Sequence, residues 1–302
     1  MTGGCRQDRR WTRSAWRRPP SSRVAILPAI DYTRPLADVV LSGLRLFRLD
    51  VRDRRVVLKP NLVEFDPAGV INTHPTVVAA AIDAFRALGA REVLVAEGPG
   101  HRRDTEYLLT ASGLHAALEA RGVPYVDLNQ DDVTRTRLLS SYTGLGHLYL
   151  PETILDADLL VSMPKLKTHH WAGVTLSLKN MFGVVPGGVY GWPKNVLHWA
   201  GIAESILDIN AALAMPRFAI VDGVVGMEGD GPIRGGPRAV GVLVMGEDWV
   251  AVDATAARLM TIDPEGIGYL AEAARFLGNA SEAAVVQVGE PIEKFARRFR
   301  PA

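Results

Sequence analysis

Residues 159–187 read LLVSMPKLKTHHWAGVTLSLKNMFGVVPG. The stretch opens on a short apolar run, Leu159–Ser162, and turns polar at Lys165. An unalternating run of that length is what a strand covered on both faces looks like. Seven more runs share the look: Val24–Leu27, Arg55–Leu58, Glu92–Ala96, Tyr125–Leu128, Phe218–Val221, Val240–Val244 and Val285–Val288. Between them lie segments of helical period. Thr76–Leu88 starts behind Pro75 and stops at Gly89, as helix ends prefer. Gly113–Arg121, Trp199–Leu213, Trp249–Met260 and Pro264–Phe276 read the same way. Strands alternating with helices predict a Rossmann-like α/β fold, in one or two lobes, with a mostly parallel sheet and helices on both faces.

Several of these strands run into chemically loaded loops. Val57-Leu58 leads to Lys59-Pro60-Asn61, and Leu94-Val95-Ala96 leads to Glu97-Gly98-Pro99-Gly100-His101-Arg102. Leu160-Val161-Ser162 leads to Pro164–His170, and Ile220-Val221 leads to Asp222-Gly223 and then Glu228-Gly229-Asp230-Gly231-Pro232. Open α/β sheets bind ligands at the carboxyl ends of their strands, so these loops are expected to share one site. Polarity alone is common to all loops, but it does not account for Lys, Asn, His and Asp gathering so close to strand ends.

Lys165 and Lys167 alternate with Leu166, so an extended backbone points both the same way, fit to grip a phosphate or carboxylate, or else they are two surface lysines. His169 and His170 then face opposite sides, and an imidazole suits proton transfer or metal ligation. Lys179 stands between apolar neighbours, which lowers an amine's pKa and makes it a nucleophile, or else leaves it a snorkelling side chain. Asn180 follows it. The glycines and Pro186 of 183–191 read as a lid, with Tyr190 and Trp192 as its cover and His198 at the next helix start. The loop Gly98–Thr105 offers backbone N–H groups to an anion, although it has neither a P-loop ending nor a dinucleotide fingerprint. Asp222, Glu228 and Asp230 are candidates for a hard divalent cation without EF-hand spacing. Asp253 sits in mid-helix, where an unpaired acid is awkward.

The totals narrow the field. The chain has 302 residues, a net charge of +1 and the single cysteine Cys5. That rules out disulfide frameworks and a cysteine-ligated iron–sulfur cluster in this chain. Residues 1–23 carry seven Arg against Asp8, while the rest holds 27 basic and 32 acidic residues and bears about −5. A mildly acidic body is a poor match for nucleic acid. Residues 1–22 read as a disordered Arg-rich tail, 23–289 as the α/β domain and 290–302 as a basic C-terminal end. The pair Arg9-Arg10 lacks the apolar stretch of an export signal, and no run reaches membrane-span length, so a cytoplasmic protein is expected.

Lys59-Pro60-Asn61-Leu62, Thr73-His74-Pro75, Pro164–His169, Leu178–Gly183, Glu228–Pro232 and Asp248–Asp253 resemble the domain-of-unknown-function family 362, in family order and over residues 24–278. Some members of that family carry a cysteine-rich ferredoxin module, which is lacking here, so electron transfer would need a redox partner protein. A second, fainter resemblance is to the lactate racemase family. His169-His170-Trp171-Ala172-Gly173 followed by Lys179 is similar to that family's His-Tyr-Phe-Ala-Gly and its lysine, and Gly100-His101-Arg102 with Thr105 to its Gly-x-His-Arg-x-x-Thr. The resemblance implies a nickel-pincer nucleotide tethered to Lys179, His101 and His169 as acid and base, and His198 as metal ligand. Leu176-Ser177-Leu178 departs from it, because the family has a glycine pair and an arginine there.

The combined expectation is an isomerase- or racemase-like enzyme acting on a small anionic compound. Lys59, Asn61, Lys165, Lys167, Asn180 and Asp222 would bind the anion, while His169, His101 and Lys179 would do the chemistry. His198, Asp230 and Asp253 are the candidate ligands for a metal. The competing expectation is a non-catalytic binder or scaffold for a metallocofactor or an iron–sulfur redox partner.

Overall fold

The structure is a computed structural model that describes residues 18–100, 104–192 and 194–302. Most of the Arg-rich tail (residues 1–17) and His101 therefore lie outside the described residues. The strands are β1 (Ser22–Pro28), β2 (Arg55–Pro60), β3 (Glu92–Glu97), β4 (Tyr125–Asp127), β5 (Val133–Arg137), β6 (His147–Pro151), β7 (Leu159–Met163), β8 (Lys165–His169), β9 (Gly173–Thr175), β10 (Arg217–Glu228), β11 (Gly236–Gly246) and β12 (Val285–Gly289).

One large sheet runs in the order β12-β1-β11-β10-β7-β2-β3-β4. From β10 to β4 every pairing is parallel, and β1 is parallel to β12. The hairpin β10–β11 and the pair β1–β11 are antiparallel. A mostly parallel mixed sheet with helices on both faces is the expected α/β class. All eight runs read from the sequence are strands.

Alternate residues feed two cores. Val57, Leu94, Leu160 and Val221 point to one face, under the helices Ile202–Ala212 and Trp249–Leu259. Val56, Leu58, Val93, Val95 and Val161 point to the other, under Ala37–Arg45 and Pro75–Ala87. Burial on both faces is why these strands lack polar alternation. The helix Pro75–Ala87 begins at Pro75 with the His74 ring accepting from Thr76 N, and Gly89 follows its end at φ +88°. Burying a side chain such as Phe85 in this layer contributes about 1.5–3 kcal/mol.

Three features depart from the sequence reading. The segment after β7 is not a loop: Pro164 breaks the strand, and β8 resumes beside the same neighbour, β10. It then turns back through β9, with His169 opposite Gly173. The predicted helix Trp199–Leu213 is Ile202–Ala212; Trp199 ends a separate helix, Asn195–Trp199, whose last turn and not its start holds His198, and Gly201 at φ +99° parts the two. That backbone conformation is one that residues with a side chain rarely adopt, so the break is built in. The hairpin β5–β6 forms a separate small sheet that the sequence reading missed. Residues 290–302 pack back on the domain, with Phe295 and Phe299 buried. Among the described residues, no helix is long and apolar enough to cross a membrane.

Candidate functional site

A cavity of about 710 Å³ opens at the carboxyl ends of β2 and β3, walled by the β8–β9 hairpin and the segment that follows it. Its floor is a buried ion pair. Lys59 Nζ lies 2.7 Å from Glu97 Oε1, with side-chain exposures of 1% and 2%. Glu97 also accepts from Leu62 N at 2.8 Å and Gly98 N at 2.9 Å. That second bond occupies one of the loop N–H groups expected to face an anion. Asn180 Oδ1 accepts from Lys59 Nζ at 3.0 Å, and its Nδ2 donates to Lys59 O and Ser162 Oγ. Gly183 is required beside them, because a β-carbon would run into Glu97 Oε1 and Lys59 Nζ.

Three further lysines reach the cavity without a carboxylate partner in hydrogen-bond contact. Lys167 Nζ donates to Ile71 O at 2.9 Å and Pro232 O at 3.2 Å, and burial pushes its pKa well below the usual amine range. Lys194, held at φ +68°, threads its ammonium between Gly98 O, Phe182 O and Gly183 O. Burial brings it down to about 7, against the pull of Glu97. Lys179 differs from both. Its side chain makes no hydrogen bond or ion pair among the described residues, and its Nζ sits 4.8 Å from the centre of the Phe182 ring. Burial, reinforced by Lys59, lowers it to about 8.

The histidines are fixed as well. His169 Nδ1 accepts from Trp171 N at 3.1 Å and from Ala172 N at 3.3 Å. Its proton is therefore on Nε2, and burial together with Lys179 and Lys167 drives its pKa down to about 2. His169 is thus a neutral donor at physiological pH. His198 Nδ1 lies 3.1 Å from Lys194 O, which leaves Nε2 free as an acceptor. His170 Nδ1 lies 2.7 Å from Gly231 O. Asp230, exposed, and Arg234 complete the rim. Two buried atoms of cavity residues, Asn61 Oδ1 and Thr175 Oγ1, have no hydrogen-bond partner among the described residues. Lysines outnumber buried carboxylates around this space, so it favours an anion that also carries polar groups.

The structure thus brings together Lys59, Asn61, Lys167, His169, Lys179, Asn180, His198 and Asp230, and leaves others out. Lys165 does share a strand face with Lys167, but its ammonium is taken by Asp222 at 2.6 Å. Asp222 further accepts from Tyr32 OH and His74 N, and the rings of Tyr32 and His74 stack at 3.7 Å. Neither Lys165 nor Asp222 lines the cavity; their network locks β8 to β10 and to the loop before Pro75. Asp253 does not line the cavity either. It accepts from Ser177 N at 2.7 Å and Leu178 N at 2.9 Å, capping the short helix Ser177–Asn180 that carries Lys179. Glu228 is engaged by Arg300. Among the described residues, no three His, Cys, Asp or Glu side chains gather into a metal-binding group. The expected lid is pinned: Tyr190 OH accepts from Tyr149 N at 2.8 Å. Glu97 and Lys194 were missed. Glu97 had a signal, a carboxylate ending an apolar run; Lys194 had none.

Fold and site together define an α/β protein with a cation-rich pocket at its strand ends. Residues 56–258 match the family described as Domain of unknown function (DUF362), and the chain belongs to that family. A thylakoid-associated protein of Synechocystis sp. is 30% identical over 238 residues, covering 76% of this chain and 70% of that protein. Among solved structures, the lactate racemase apoprotein of Thermoanaerobacterium thermosaccharolyticum aligns over 82% of this chain at a TM-score of 0.48 and 12% identity. A Thermotoga maritima protein aligns over 74% at 0.41 and 13% identity. This chain spans 58% of the length of each of those two.

Proposed function

We propose that this protein is an enzyme that moves a proton beside the carbonyl of a small carboxylate- or phosphate-bearing compound, as an isomerase or racemase does. The observation that carries the reading is the unbonded amine of Lys179 in a cavity whose other lysines are already engaged. An incoming anion finds in Lys179 a partner that needs no rearrangement. With a pKa of about 8, that amine also exchanges a proton near neutrality. His169 supplies a neutral N–H donor, suited to stabilise charge developing on a carbonyl oxygen. Lys59 and Glu97 hold the floor, and Asn180 ties it to the Lys179 helix.

A lysine-tethered metallocofactor is compatible with part of this donor set. Lys179 would carry it and His198 Nε2 would face its metal, the group supplying redox or Lewis-acid chemistry when bound. Intact-mass and metal analysis of protein from its native host separates the versions: an unmodified Lys179 without stoichiometric metal removes the cofactor and leaves the simpler reading. The enzyme reading itself is tested with His169→Asn, which should abolish turnover of a processed carboxylate or phosphate while binding survives. Unchanged turnover would leave a binder or scaffold as the better description.

A further inference from the structure

The aromatic side chains along one cavity wall form a continuous path from the Lys179 amine to the mouth. Lys179 Nζ stands 4.8 Å from the Phe182 ring centre. The Phe182 and His198 rings are 5.3 Å apart, edge to face, and the His198 and Trp171 rings 5.9 Å apart in the same manner. Among the three rings exposure rises outward, from 7% at Phe182 through half-buried His198 to 66% at Trp171. All four residues line the same cavity.

An isolated exposed tryptophan needs no explanation. Trp171 is not isolated: it is the middle residue of the hairpin turn between β8 and β9, and its own backbone N–H donates to His169 Nδ1. Trp171 contributes little to the core, since the residue is 66% exposed. A cavity of about 710 Å³ is also far larger than an anionic group alone would fill. Aromatic faces prefer offset or edge-on partners at centroid separations of about 4.5–7 Å, a geometry that another flat ring meets and a saturated chain does not.

We infer that the ligand of this site is an anionic compound carrying a flat unsaturated ring, its charged group at Lys179 and its ring lying along Phe182, His198 and Trp171. This rests on the anion-binding reading above and adds the second half of the molecule. Asn61 Oδ1 and Thr175 Oγ1, unpartnered among the described residues, then serve polar substituents of the ligand.

Calorimetric titration of the full chain tests it with two matched series: methyl, cyclohexyl and phenyl phosphate, and acetate, cyclohexylacetate and phenylacetate. In at least one series the phenyl compound should bind about fivefold or more tighter than both the methyl-type and the cyclohexyl member. Trp171→Ala, a change at an exposed position, should remove most of that increment and leave the small anion's affinity alone. A phenyl compound no tighter than its cyclohexyl analogue, or an increment that survives Trp171→Ala, overturns the ring assignment while the anion reading stands. If no compound in either series binds, the anion reading itself fails.

Discussion

Lys59 Nζ lies 2.7 Å from Glu97 Oε1 where β2 and β3 end side by side, and hardly any of either side chain meets solvent. The pair is surrounded by Lys167, Lys179 and Lys194, so Glu97 is the local counter-charge for more than its direct partner. Glu97→Gln should therefore cost about 3–5 kcal/mol, the usual penalty for leaving one half of a buried pair unmatched. Adding Lys59→Met to that variant should recover much of the loss. Urea denaturation of the two single variants and the double variant completes the cycle. A Glu97→Gln loss under about 1 kcal/mol would show the cluster to be discharged by other means.

A second prediction concerns pH. Lys194 is lowered to about 7 in the fold, whereas an unfolded lysine titrates near 10.4. Between those values the unfolded chain binds the extra proton, so stability rises with pH through that window. Lys179, at about 8, contributes with the same sign above its own pKa. Lys194→Met removes the first contribution. Between pH 7 and 9 the wild type should gain stability relative to this variant, by at most about 1.4 kcal/mol per pH unit. Parallel curves for the two proteins would place the Lys194 proton elsewhere.

Much of the fold was legible in the sequence, because doubly covered strands leave unalternating apolar runs such as Val56–Leu58 and Leu159–Val161. β8 was not legible as a strand. Its lysines are depleted in strands generally, and they become buried only because Asp222 on β10 and the carbonyls of Ile71 and Pro232 come to meet them. The same tertiary event separated Lys165 from Lys167, which look equivalent in sequence. The candidate site was legible in place, because His169 and Lys179, singled out by their motif, both line the cavity. Lys194 was not, because its burial depends on Gly98, nearly a hundred residues away.

Lys179 should be the most reactive lysine in the chain toward an amine reagent at mild alkalinity. Its Nζ is unbonded among the described residues, half-buried rather than sealed, and lowered to about 8. Reductive methylation followed by peptide mass spectrometry should give a midpoint near pH 8 at this position. Lys59 and Lys194, nearly sealed, should label slowly at every pH. A Lys179 midpoint near that of an ordinary lysine would contradict its environment.

Asp253→Asn tests whether the helix Ser177–Asn180 is held from below. The carboxylate accepts from two backbone N–H groups, and an amide oxygen in its place can reach only one of them without its NH2 facing the other. The expected cost is about 1–3 kcal/mol. Faster hydrogen exchange should appear at the Ser177 and Leu178 amides, with Lys179 labelling moving toward an ordinary lysine profile. A stability loss without local exchange would assign Asp253 a general packing role only.

The proton inventory of His169 is the sharpest constraint on the chemistry. Two backbone N–H groups, from Trp171 and Ala172, point at Nδ1, so that nitrogen cannot carry a proton without breaking both contacts. Burial adds a further penalty to the imidazolium, and Lys179 and Lys167 add repulsion. A side chain in this state donates from Nε2 and does not take up a second proton at ordinary pH, so base catalysis falls to another group. Nitrogen-15 spectra should show a neutral Nε2–H tautomer that does not titrate between pH 8 and 5. A midpoint near 6.5 would mean that the hairpin turn opens in solution, and His169 would then return as a candidate base. The low folded pKa also fixes a sign: the unfolded histidine binds a proton below about 6.5 and the folded one does not, so His169 makes stability fall as pH drops through that range. His169→Gln, measured against wild type at pH 7.5 and pH 5, should show a smaller acid-side loss than the wild type.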